Sequence, residues 1–229
     1  MSLESKIKVA CGVFDGHSCG QLALKRAGIE YDEYHAAEID KYAMQVTQKN
    51  FPDTIQLGDV CGVVAKDLPK VDLLLAGSPC QGFSFAGKRL AFDDPRSMLF
   101  FEFIRLLKEL KPKYFLLENV RMKKEYLDII TEQVGGMEPI LINSALVSAQ
   151  NRLRYYWTNI PNVQQPEDRG IVLRDILEDH HNENPVKDTE RNRRHYKNPD
   201  DKSLCMTATM YKGAGNNGMT LVPMTKPDH

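Results

Sequence analysis

The chain has 229 residues, 42% of them hydrophobic, which suffices for one sizeable core and a smaller appendage. Its 30 Lys and Arg against 31 Asp and Glu leave a formal net charge of −1, which excludes a polycation that holds nucleic acid by bulk charge. The apolar runs are strand-length, short of the roughly 20 residues a membrane span needs, so no membrane partner is expected.

Met1-Ser2-Leu3-Glu4-Ser5-Lys6 lacks a cleavable hydrophobic region, and secretion is not expected. The five cysteines, Cys11, Cys19, Cys61, Cys80 and Cys205, include no Cys-x-x-Cys pair and no zinc-like His spacing. Reduced thiols, no metal and a cytoplasmic location follow as expectations.

Residues 6–14 read as a first strand running into Asp15-Gly16-His17-Ser18-Cys19-Gly20 and then a helical pattern with Leu22, Leu24 and Ala27. Strand, glycine-bearing turn and helix are the usual opening of a nucleotide-binding α/β domain, although the Gly-x-Gly-x-x-Gly fingerprint is absent. A second strand over 34–39 ends in Glu38-Ile39-Asp40, where a carboxylate suits the two hydroxyls of a ribose and Asp40 suits the cap of a helix over 41–49. A short third strand near 54–57 leads to Gly58-Asp59-Val60, a turn. The run Val71-Asp72-Leu73-Leu74-Leu75-Ala76 is a fourth strand, and it delivers Gly77-Ser78-Pro79-Cys80-Gln81-Gly82-Phe83-Ser84, a loop that mounts one cysteine at a sheet edge. A polar loop over 82–96 precedes a helix over 98–110, whose Leu99, Phe103, Leu106, Leu107 and Leu110 fall at helical spacing.

A fifth strand over 114–117 carries Glu118-Asn119-Val120 to the edge that holds Cys80, because parallel strands share one carboxyl end. A helix over 123–134 and a strand over 139–147 follow. Gln150-Asn151-Arg152-Leu153-Arg154 then precedes an aromatic strand, Tyr155-Tyr156-Trp157, and alternation puts Arg152 and Arg154 on one face, where they call for an anionic neighbour, Glu118 or a phosphate. Beyond Pro161 the composition turns polar. Residues 171–177 read as a short helix or strand, and 180–202, with Arg191, Arg193, Arg194, His195 and Lys197, as either a DNA-facing or a solvated flexible loop.

Pro79-Cys80-Gln81, Glu118-Asn119-Val120 and Gln150-Asn151-Arg152-Leu153-Arg154, in that order and spacing, resemble the signature blocks of the cytosine-C5 DNA methyltransferase family over about residues 8–160. The resemblance implies a Rossmann-like S-adenosylmethionine-dependent α/β fold, with a mostly parallel sheet and helices on both faces. Residues 1–160 form the catalytic, cofactor-binding domain in this reading, and 161–229 a linker and partial target-recognition region. It assigns to S-adenosylmethionine Phe14, Asp15, Gly16 and Ser18, then Glu38, Ile39, Asp59, Val60, Pro79 and Leu99; Ser18 and Cys19 stand where the family often has two glycines. To catalysis it assigns Cys80 as nucleophile on cytosine C6, Glu118 on N3 and the exocyclic amine, Arg154 and Arg152 orienting the base and supporting Glu118, and Asn119 anchoring the Cys80 loop.

The implied partner is double-stranded DNA, entered by base flipping in a modification or restriction-modification setting, with Lys88 and Arg89 near its backbone. Lys202 to Gly218 resembles the entrance to a target-recognition region. The family's closing blocks, Arg-x-Leu-Thr-Pro-x-Glu and Gly-Asn-Ser/Ala-Val, are not found in the sequence, so a shortened form or a complementing C-terminal chain is expected. The alternatives are a tRNA cytosine-C5 methyltransferase and a catalytically silent nucleic-acid-binding subunit.

Overall fold

The computed structural model describes residues 7–79, 95–178, 189–206 and 220–222. Cys80 and the loop after it lie outside the described residues, as do 179–188 and the stretch 207–219.

The first half of the chain is repeated strand-then-helix. β1 (Val9–Val13) leads to α1 (Cys19–Arg26), β2 (Glu33–Ala37) to α2 (Lys41–Asn50), and β3 (Ile55–Gln56) to two short 3-10 turns. β4 (Leu73–Gly77) precedes α3 (Pro95–Leu110), β5 (Tyr114–Val120) precedes α4 (Lys124–Gln133), and β6 (Ile140–Asn143) and β7 (Leu153–Thr158) close the sheet. The sheet order is β3-β2-β1-β4-β5-β7-β6. β1, β2, β3, β4 and β5 pair in parallel, while β7 runs antiparallel to β5. The order reverses direction between β1 and β4, and at such a switch point the outgoing loops part and leave a crevice at the carboxyl edge.

Strand alternation gives each face its own core. Val9, Cys11, Val13, Leu74, Ala76, Phe115 and Leu117 cluster with Phe100, Phe103, Ile104 and Leu106 of α3, Ile130 of α4 and Trp157 of β7. Ala10, Tyr34, Ala36 and Leu73 pack with Leu24 of α1 on the other face. Adjacent residues of β1 therefore enter opposite cores, which is why that strand is buried throughout and reads as an unbroken apolar run. Helices cover both faces. On α1 the buried positions are Gln21 and Leu24, and Leu22 points outward, so the helical face is rotated from the one its leucines predict.

The chain folds as two compact units: residues 1–141 with 154–163, and residues 142–153 with 164–229. In the second unit Gln150 bridges to Ser203, and the Asn151 N–H donates to the Ser203 carbonyl at 3.0 Å. The Lys202 ammonium donates to three carbonyls, those of Ala145 (2.7 Å), Ser148 (3.2 Å) and Ile171 (2.5 Å), using all three of its donors. The polar stretch read as a loop has structure where it is described: α5 (Glu190–Arg193) is capped by the Thr189 hydroxyl, and Asn192 and His195 are buried. Residues 171–177 contribute a single 3-10 turn, Leu173–Asp175, and the strand expected over 139–147 stops at Asn143, whose side chain caps a 3-10 turn over Ser144–Leu146.

Candidate active site

The carboxyl edge of the first unit gathers most of the residues singled out in the sequence. The turn after β1 holds three residues in the left-handed region, Phe14 (φ 56°), Gly16 (φ 57°) and Ser18 (φ 56°). Two of them are not glycine, and each such residue costs on the order of 1–3 kcal/mol unless its surroundings impose the conformation. The surroundings do so here. The Gly16 N–H donates to Glu38 Oε2 at 2.8 Å, the Thr47 hydroxyl to the Gly16 carbonyl at 3.3 Å, and the Asp15 N–H to the Ala37 carbonyl at 3.2 Å.

Glu38 leaves β2 at the same edge. Its Oε1 accepts the N–H groups of Ile39 and Asp40, both at 2.8 Å. With Gly16 on Oε2, three of about four lone-pair positions are taken and one, on Oε2, is left for a further donor. Ile39 beside it is 75% exposed, an apolar side chain left open to solvent. Asp59 is exposed and caps the 3-10 turn Val60–Gly62 through the Cys61 N–H at 2.9 Å. Val60 is buried and belongs to the core, as Leu99 partly does, so both bear on the site through packing.

Asp15 and Ser18 are turned inward. Asp15 accepts from the Tyr34 hydroxyl at 2.7 Å and from the Ser18 hydroxyl. Burial pushes the Asp15 carboxyl above its ordinary value, more than the hydrogen bonds from Ser18 and Tyr34 bring it down, and nearby Glu38 adds to the rise. Ser18 occupies the N-cap of α1, yet its hydroxyl makes no cap hydrogen bond. It accepts instead from the Gln21 amide (3.0 Å), which also reaches Thr54 Oγ1 (2.8 Å) and receives the Tyr31 hydroxyl (2.7 Å). This layer of Tyr31, Tyr34, Gln21 and Thr54 was not apparent in the sequence. The available signal was the pair Gly12 and Gly20, the small residues beside which the Tyr34 hydroxyl sits.

At the other side of the switch point Gly77 pairs with Glu118 in register. Val120 pairs with Arg154, which places Arg154 diagonally across from Glu118 on the antiparallel strand, and their Nε–Oε1 separation is 2.8 Å with both side chains largely buried. Asn119, fully buried, donates from Nδ2 to Ser78 Oγ at 2.9 Å and receives the Val120 N–H on Oδ1 at 2.8 Å. Ser78 stands two residues before Cys80, and half-buried Pro79 is the last described residue before it. Arg152 belongs to the second unit, where its Nη1 lies 3.7 Å from Cys205 Sγ. The first unit thus brings together Gly16, Glu38, Ile39, Glu118, Asn119 and Arg154. The donor set fits a nucleoside cofactor: a single-carboxylate ribose acceptor, an exposed apolar side chain for a base, and a backbone turn whose Gly16 has open space where a Cβ would stand.

The strand order and its switch point define a Rossmann-like methyltransferase fold. Two solved structures agree at the level of fold: the Entamoeba histolytica methyltransferase EhMeth, with a TM-score of 0.77 at 19% identity over 97% of this chain and 80% of its own, and a DNMT2 mutant of Spodoptera frugiperda, with a TM-score of 0.72 at 22% identity over 96% and 76%. Within that class the chain belongs to the C-5 cytosine-specific DNA methylase family, whose pattern it matches over residues 11–217.

Its relatives include the orphan methyltransferase M.Rho11sI of Bacillus phage rho11s, 40% identical over 180 residues, and the type II methyltransferase M.HgiCI of Herpetosiphon aurantiacus, 37% identical over 194. These matches take in 73% and 69% of this chain but 36% and 45% of the relatives, so the chain spans less than half their length. Among the described residues no helix is long and apolar enough to cross a membrane.

Proposed function

We propose that the chain carries the catalytic half of a DNA cytosine-C5 methyltransferase, acting on a cytosine flipped out of duplex DNA. The observation that carries the reading is the Glu118–Arg154 pair, set at the sheet edge beside Gly77, which precedes Cys80 by three residues in the sequence. Its relatives are named as phage and type II methyltransferases, which favours DNA modification as the setting. Flipping costs about a few kcal/mol in lost stacking and pairing, a cost the closed protein–DNA complex has to offset.

S-adenosylmethionine, when bound, supplies the electrophilic methyl carbon. Gly16 and its turn would hold it by backbone, with Glu38 as acceptor for a ribose hydroxyl through the open side of Oε2, and Ile39 and Asp59 as the apolar and acceptor groups for the base. Phe14, Asp15 and Ser18 would shape the turn from within, Val60 and Leu99 would support the base side through the core, and Pro79 would line the site beside Cys80.

Cys80, as thiolate, adds through Sγ to cytosine C6, and the π pair of the C5–C6 double bond moves toward C5, which takes the methyl carbon as that carbon's bond to the sulfonium sulfur breaks and the pair leaves with a neutral thioether. Glu118 holds N3 and the exocyclic amine while this density develops. Arg154 fixes the Glu118 carboxyl and orients the base through its carbonyl. Asn119 anchors Ser78 and so the strand end from which Cys80 departs. Loss of the C5 proton to a base then returns the pair to the ring and releases Sγ. Double-stranded DNA is the partner, a further chain segment completes target recognition, and free Cys11, Cys19, Cys61 and Cys205 suit a reducing cytoplasm.

The test is trapping on duplex DNA containing 5-fluorocytosine in varied contexts, because fluorine at C5 blocks the final elimination. With S-adenosylmethionine present, the expected result is a covalent adduct on a denaturing gel that Cys80→Ala abolishes. An adduct that persists in Cys80→Ala would exclude this nucleophile.

A further inference from the structure

The turn after β1 holds Phe14 and Ser18 in the left-handed region although neither is glycine, so something other than glycine must hold it. Beneath it, the Tyr34 hydroxyl sits against Gly12 and Gly20. A Cβ on Gly12 would collide with Asp15 Oδ1 and with that hydroxyl, and a Cβ on Gly20 would stand 2.8 Å from the hydroxyl and 2.8 Å from Leu75 Cδ1. Two positions that tolerate no side chain therefore converge on one phenolic oxygen. That oxygen makes one hydrogen bond, at 2.7 Å, to Asp15 Oδ1.

We propose that Tyr34 is a positioning residue for the cofactor turn: its hydroxyl, in the niche left by Gly12 and Gly20, holds the Asp15 carboxylate inward and so fixes the left-handed conformation of Phe14, Gly16 and Ser18. The inference rests on the reading that this turn receives S-adenosylmethionine. Asp15 lies midway along the turn, and its other oxygen takes the Ser18 hydroxyl. The carboxylate thus clamps the turn from residue 15 to residue 18, with the Ser18 N–H closing back on the Asp15 carbonyl at 3.0 Å. Gln21 and Thr54 brace Ser18 from below. Tyr34 itself is nearly inaccessible and does not touch the crevice, so its effect on the cofactor passes through Asp15. A phenol hydrogen-bonded to a buried carboxylate is worth more than a neutral pair, and its loss leaves the acceptor poorly satisfied.

The experiment compares the 229-residue chain with Tyr34→Phe and Asp15→Asn, by amide hydrogen exchange without cofactor and by calorimetric titration with S-adenosylmethionine. Tyr34→Phe is expected to speed exchange at Ser18 and Asp15 about tenfold, to leave Leu74 in the neighbouring strand unchanged, and to weaken cofactor binding by about tenfold. Asp15→Asn leaves one acceptor oxygen for two hydroxyl donors and breaks the same clamp from its other end, so it is expected to speed exchange at Ser18 as well, with the double variant exchanging no faster than the quicker single one.

Unchanged exchange at Ser18 and Asp15 in Tyr34→Phe overturns the proposal, as does equal acceleration at Leu74, which would make the hydroxyl a prop of the whole sheet. A parent chain that binds no S-adenosylmethionine would refute the cofactor reading instead, while the exchange comparison still decides what Tyr34 holds.

Discussion

At the residue scale the Glu118–Arg154 contact is the most consequential pair, because it joins a largely buried carboxylate to a guanidinium across two strands. Arg154→Met is expected to lower kcat by about a hundredfold while cofactor affinity, set at the other side of the switch point, stays within about twofold of the parent. Arg154→Lys should recover little, since an ammonium does not reproduce the planar fork. Steady-state methylation of duplex DNA beside calorimetric cofactor titration separates these outcomes.

Asp15 makes a second prediction, of sign. Its folded-state carboxyl lies above the ordinary value of 3.8, so the folded chain holds the proton more tightly than the unfolded one. The stability this group contributes is therefore largest in acid and declines as pH rises from that ordinary value through the raised one. Asp15→Asn removes the dependence. Its thermal midpoint should gain on the parent's as pH rises above that ordinary value, followed by circular dichroism.

Glu38 stood out in the sequence as a carboxylate ending the second strand, and Glu118 and Arg154 as members of two blocks that resemble a family's signature. The sequence did not announce Tyr34, which alternation alone marks as a core aromatic and whose hydroxyl has a role only once Asp15 turns inward.

At the scale of elements, glycine placement decides more than propensity. In an exposed helix Gly→Ala is stabilising by about 1 kcal/mol, yet Gly20→Ala in α1 should destabilise by about 1–3 kcal/mol, because the new methyl meets Leu75 and the Tyr34 hydroxyl. Chemical denaturation gives the sign directly. Ser78 and Asn119 tie the ends of β4 and β5, and removing either leaves the other a buried unmatched group, for about 1–3 kcal/mol.

Alternating strands and helices were legible from hydrophobic runs between turn residues. Boundaries drifted where a side chain ended the element early: Asn143 caps a 3-10 turn and cuts short the strand expected to reach Val147. The antiparallel sense of β7 was not legible, because direction depends on which edge of β5 lies open.

At the scale of the molecule, β7 is both late in the sequence and integral to the first unit's core. Trp157 is fully buried, and its indole N–H donates to Thr131 Oγ1 at 3.0 Å. A chain ending at residue 141 should therefore lose cooperative unfolding, whereas one ending at 163 should keep it, as thermal melts of both would reveal. A boundary at Pro161, drawn where the composition turns polar, is where sequence reasoning naturally stops. It misses residues 142–153, whose own composition is unremarkable and whose partners, Lys202, Ser203 and Cys205, lie fifty residues on.

That threading bears on how such proteins exchange parts over evolution. A crossover near residue 163 would give the offspring residues 142–153 from one parent and the Lys202–Cys205 stretch from the other, separating Arg152 from the Cys205 it meets. Hybrids that keep this contact inherit both segments from one lineage, so the Gln150–Arg154 block is expected to track the ancestry of the C-terminal stretch at Arg152 and that of the N-terminal stretch at Arg154.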